Sequence, residues 1–138
     1  MIKRLLFALL LICGVANAAG INWEKSYAEA IAKAKTQNKP VMFIVSSHNC
    51  RYCVILEKEA LSDPAVIKAV NKDFVSAIVF TDGNDVFPNE LLTGGTPTIW
   101  YLKPSGEPLF QPLMGAVGAE QYLQDLGVVV AEFAKIKK

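Results

Sequence analysis

An excess of charge is missing from this 138-residue chain, where 14 Lys and Arg stand against 13 Asp and Glu for a formal net charge of +1. A balance this even gives no electrostatic footprint for nucleic acid or for an anionic membrane surface. Histidine is reduced to His48 and cysteine to Cys13, Cys50 and Cys53. Cys13 lies in the apolar run at the start, so the rest of the chain holds three of these residues, too few for a closed structural zinc site, which takes four ligands, and its two cysteines are too few for a disulfide-stapled scaffold. The apolar run at the start, Leu5 to Val15, is about 11 residues long, short of the roughly 17 to 25 that span a bilayer comfortably. Repeats, low-complexity tracts and an interdomain linker are absent as well.

What is present at the start is a processing pattern. Lys3 and Arg4 precede the apolar run, and Ala16-Asn17-Ala18 closes it in the small-x-small form cut by signal peptidase. Residues 1–18 are therefore expected to be a cleaved signal peptide, with residues 19–138 as a single domain in the periplasm or otherwise exported. Ile12 stands before Cys13 where a lipobox takes a small residue, which disfavours lipidation. Without Lys3 and Arg4 the balance becomes about 12 basic against 13 acidic residues, a net charge of about −1. Roughly 120 residues suffice for one hydrophobic core but not for two.

The exported part keeps only Cys50 and Cys53. A bridge between residues this close closes a tiny loop and removes little unfolded-state entropy, so it is a poor staple. Redox chemistry is the better reason for the pair. Cys50-Arg51-Tyr52-Cys53 follows the apolar run Val41 to Val45 and opens a helical stretch, with Asn49 suited to the N-cap and Cys50 to the first helical position. There, free backbone N–H groups and the positive end of the helix dipole stabilise a thiolate, and the second sulfur lies within reach of a disulfide. Arg51 adds a permanent cation, His48 a second one when protonated, and Tyr52 an aromatic cover. Val54 follows Cys53 where covalent haem attachment needs histidine.

Along the rest of the chain, Trp23 to Gln37 reads as a helix with Tyr27, Ala30, Ile31 and Ala34 on one face. Val41 to Ser46 lacks polar alternation, as a central strand covered on both faces does. The helix from Cys50 runs on through Leu61, and Asp63 with Pro64 restarts it. Phe74 to Thr81 reads as a strand, and 82–95 as a loop with one helical turn near Asn89. Thr98 to Leu102 and Pro108 to Phe110 read as a hairpin, and Ala119 to Ile136 as an amphipathic closing helix. This order predicts a right-handed parallel βαβ unit with an antiparallel addition, in a three-layer α/β/α sandwich around a central mixed sheet.

The strand before Cys50-x-x-Cys53, the segment Gly95-Thr96-Pro97-Thr98 and the closing hairpin and helix together resemble the thioredoxin fold over nearly all of the exported part. Lys39-Pro40-Val41 and Leu61-Ser62-Asp63-Pro64-Ala65-Val66 are most similar to exported members related to SoxW and to the C-terminal domain of the membrane reductant conductor DsbD. The resemblance implies a thiol:disulfide oxidoreductase on the reductase side, without a cofactor, that exchanges disulfides with protein thiols and is fed by a conductor of the DsbD type. It also implies a cis peptide bond at Pro97 against the disulfide, with the Thr96 backbone binding extended substrate. A monomer is expected. Two positions depart from the cytoplasmic pattern: Asn49 replaces a tryptophan and Ile44 replaces a buried acid that assists proton transfer, for which Glu57 is a candidate substitute. The alternative is a non-catalytic binding module that uses the cysteines for a metal or a client.

Overall fold

The computed structural model describes residues 20–137; the expected signal peptide and Cys13 lie outside the described residues. Helix α1 spans Tyr27–Gln37 and starts later than its apolar spacing suggests, because the Ser26 side chain accepts the Glu29 N–H and fixes the N-cap there. Trp23 is used differently: it bridges Ser76 in parallel and extends the sheet edge by one residue pair. Strand β1, Val41–Ser46, is buried along its whole length, as its unbroken apolar composition requires.

Helix α2, Arg51–Lys58, is followed by a 3-10 turn at Ala60–Ser62 and by α3, Pro64–Asp73. Asp63 caps α3 by accepting the N–H groups of Ala65 and Val66, and Pro64 occupies the first turn, where no donor is needed. Strand β2 runs Val75–Phe80, β3 Thr98–Leu102, β4 Leu113–Met114, and α4 Ala119–Ile136. The sheet order is β2-β1-β3-β4, with β1 parallel to β2 and antiparallel to β3.

Pro108 to Phe110 is not a strand. The turn forms as expected, with Lys103 N–H on the Glu107 carbonyl at 2.8 Å and Gly106 at φ 91°. Pairing beyond it reduces to a Leu102–Pro108 bridge and resumes only at Leu113–Met114 opposite Thr98 and Ile99. Pro108 and Pro112 supply no N–H to a ladder, so a continuous second strand cannot form between them.

Alternate residues of β1 feed two cores. Met42 and Ile44 pack with Leu56, Val66, Val70, Tyr122, Leu126 and Val129 from α2, α3 and α4. Val41, Phe43 and Val45 pack with Ala30 and Ala34 of α1 and with Leu91. The three layers are present, but the second face is covered by one helix and by the 81–95 segment, which contributes Phe87 and a 3-10 turn at Asn89–Leu91. Trp100 anchors that segment by donating its indole N–H to the Leu91 carbonyl at 2.8 Å. No helix among the described residues is long and apolar enough to cross a membrane.

Candidate redox site

Both cysteines stand at the carboxyl end of β1, where the central strand passes into α2. The sequence places Asn49 at the N-cap, but the cap is Cys50 itself, with extended backbone and its sulfur accepting the Cys53 N–H at 3.2 Å. Sulfur here takes the place a hydroxyl or carboxylate oxygen holds in an ordinary cap. Asn49 is displaced one position outward and is exposed. Cys50 and Cys53 are joined in a disulfide with Cα atoms 5.2 Å apart.

The two sulfurs meet different surroundings. Cys50 is half-buried, whereas Cys53 is 1% exposed. An N–H aimed at Cys50 Sγ at the amino end of α2 stabilises negative charge on that sulfur and not on its partner. Behind the pair, Ile44 is fully buried in the apolar cluster and carries no group that could take a proton. Glu57 is half-buried and lines a groove of about 500 Å³ with Ile21, Trp23, Leu61, Ile78 and Phe80, among others.

A second segment comes against the disulfide from β3. The Thr96–Pro97 peptide bond is cis, Pro97 is buried, and the Thr96 carbonyl oxygen lies 3.4 Å from Cys50 Sγ. Thr98 holds this segment from below: its hydroxyl is fully buried, donates to the Gly95 carbonyl at 2.7 Å and lies 2.8 Å from the Thr93 hydroxyl. Gly115 N–H adds a bond to the Pro97 carbonyl at 3.0 Å. Gly94 makes the bend possible at φ 81°, a conformation that costs glycine little. The structure thus brings Cys50, Cys53, Thr96 and Pro97 together. Arg51 and Tyr52 are exposed on the first turn of α2, with Tyr52 at 58%.

His48 lies on the loop into Cys50 and has a partner the sequence reading did not name. Its ring Nδ1 is 3.0 Å from Asp82 Oδ1, its backbone N–H reaches both Asp82 oxygens at 3.2 and 3.1 Å, and its ring stacks on Phe80. Desolvation pushes the Asp82 carboxyl upward, but the hydrogen bonds from the His48 backbone and ring hold it below the usual carboxylate range. Pairing of Ser46 with Phe80 across the parallel strands is what sets residues 48 and 82 side by side. Among the described residues no cluster of three or more His, Cys, Asp or Glu side chains is arranged for a metal ion.

Comparison with known proteins bears on the family and the fold. A family model described as a thioredoxin-like domain matches residues 27–128. Anterior gradient protein 1 of Xenopus laevis is 28% identical over 119 residues, covering 86% of this chain and 63% of that protein. The chain spans less than two thirds of the length of the first curated relatives it matches. Among solved structures, a thioredoxin from Thermus thermophilus is similar with a TM-score of 0.72 and 26% identity over 86% of this chain and 94% of that one. The oxidised C-terminal domain of DsbD from Neisseria meningitidis shares the fold, with a TM-score of 0.58 and 23% identity over 73% of this chain and 90% of that one.

Proposed function

This chain belongs to the thioredoxin-like domain family, and on that premise we propose that it is an exported thiol:disulfide oxidoreductase working on the reductase side through Cys50 and Cys53. The observation that carries the reading is the unequal pair of sulfurs: one half-buried and facing a backbone N–H, the other closed off behind it. Cys50 is the attacking thiolate and forms the mixed disulfide. Cys53 resolves it by attacking Cys50, which releases the reduced substrate and leaves the intramolecular disulfide.

Thr96 and Pro97 form the wall along which an extended substrate lies, with the Thr96 backbone available for strand addition. Arg51 supplies positive charge near the thiolate, as His48 does when it carries a proton, and Tyr52 covers the exposed side of the site. Electrons come from a membrane conductor of the DsbD type, and the substrates are protein disulfides. The reductase direction and the conductor rest on the likeness to the DsbD domain; export rests on the processing pattern at residues 1–18.

Equilibration of the protein in glutathione or dithiothreitol buffers, with Cys50→Ser as the blank, tests the direction. A reduction potential near that of thioredoxin, roughly −270 mV, fits a reductase that needs an electron donor; one near roughly −120 mV makes the protein an oxidant. Amino-terminal sequencing of the protein recovered from outside the cytoplasm tests export, with Ala19 expected as the first residue.

A further inference from the structure

Thiol–disulfide exchange moves protons as well as electrons, and the core cluster beneath the site offers no carboxylate or imidazole to carry one: its ionisable side chains are Tyr101 and Tyr122, whose hydroxyls burial keeps protonated. The rim of the site does. The His48 imidazole is fixed on one edge by the Asp82 carboxylate, 3.0 Å from Nδ1, and on one face by Phe80, with ring centroids 4.0 Å apart and planes 14° from parallel. Asp82 is itself held in place. Thr81 N–H bonds the Ser46 carbonyl at 2.9 Å, Gly83 N–H the Phe80 carbonyl at 3.1 Å, and Asp85 accepts the Phe80 N–H at 2.8 Å.

An Nδ1–H committed to a carboxylate leaves the lone pair on Nε2, across the ring from that bond. The side chain is 64% exposed, and it stands on the loop two residues before Cys50. The imidazole packs on the end of β2 and the turn after it, through Phe80 and Asp82, and the charged groups there are Asp82 and Asp85. One carboxylate in direct contact with the ring stabilises the imidazolium when it forms.

We propose that His48 is the proton carrier of the exchange reaction and that Asp82 is its positioning residue, an inference that rests on the exchange reading above. His48 Nε2 takes the Cys50 thiol proton, directly or through one water. The Cys50 thiolate then attacks one sulfur of the substrate disulfide: a Cys50–substrate S–S bond forms and the substrate S–S bond breaks. Its electron pair leaves on the second substrate sulfur, which receives the proton from the imidazolium. Charge and protons balance with no further reactant, and Asp82 remains ionised throughout.

The test is the rate of insulin disulfide reduction, with dithiothreitol as the electron source, measured across the range in which imidazole titrates, about pH 5 to 8. Wild type, His48→Gln and Asp82→Asn are compared, with Cys50→Ser as the blank. His48→Gln should slow the reaction about a hundredfold at the plateau and erase the acid limb of the profile. Asp82→Asn keeps an oxygen for the His48 N–H but removes the charge, so the acid limb should move to lower pH while the fold stays intact. A purely structural role for Asp82 would leave that limb where it is. A His48→Gln profile identical to wild type overturns the relay. Should that variant fail to fold, the imidazole proton resonances of wild type decide: titration of His48 along the acid limb supports the relay, and titration elsewhere overturns it. A wild type no faster than the Cys50→Ser blank removes the exchange reading itself, and the relay with it.

Discussion

The space behind Cys53 and the rim in front of Cys50 are built on opposite principles, although a single disulfide separates them. Behind, Met42, Ile44, Leu56 and Tyr122 close into an apolar core in which Cys53 has almost no exposure. In front, within a few residues, stand a sulfur that accepts a backbone N–H, a carbonyl at 3.4 Å and a carboxylate–imidazole pair. A buried charge is costly unless it is paired, and this chain keeps its carboxylate and imidazole at the partly hydrated rim, while burial holds the core hydroxyls of Tyr101 and Tyr122 in their neutral form. The core is left to set position, and the loops to set reactivity.

The largest effect should come from breaking the rim at its centre. Cys50→Ser removes the half-buried sulfur and should abolish insulin disulfide reduction, while leaving the fold intact by circular dichroism. Ile44→Asp breaks the other side by placing a carboxyl in the apolar core. Urea unfolding should show a loss of about 3 kcal/mol or more, and the carboxyl should titrate well above its ordinary range.

Thr98→Val sharpens the comparison at the wall of the site, because it keeps the buried shape but removes the hydroxyl that holds the Gly95 carbonyl. A stability loss of about 1 kcal/mol is expected by denaturant titration, together with slower turnover as the Thr96 segment loosens. The smallest effect belongs to the exposed pair. The Asp82 carboxyl is held below its unfolded value, so its contribution is present in full above the ordinary Asp range, near about pH 3.9, and is lost as pH falls through the lowered folded value. Acid unfolding of Asp82→Asn should lack that increment, read as a shallower loss of stability below about pH 4 than in wild type.

The core was the legible part of the sequence. The unbroken apolar run at Val41 to Val45 announces a strand buried on both faces, and Asp63-Pro64 announces a helix start, because each pattern has one physical solution. The rim was less legible. Asn49 is a better N-cap by composition, yet Cys50 takes the position because its sulfur must sit at the helix amino end to form the bridge. Asp82 stands in a run of turn residues and looks like one more; only the parallel register of β1 and β2 brings it to His48. The second hairpin strand was misplaced because Pro108 and Pro112 interrupt a ladder that apolar spacing alone would continue.

The most direct measurement of the central claim is the capture of the reaction intermediate. Cys53→Ser protein, reduced and mixed with a disulfide-linked peptide, is digested and analysed by mass spectrometry for the residue that carries the peptide. The account predicts one stable adduct, on Cys50, and none on Cys53 in the matching Cys50→Ser protein. An adduct that forms equally well on Cys53, or no adduct on either residue, would contradict it.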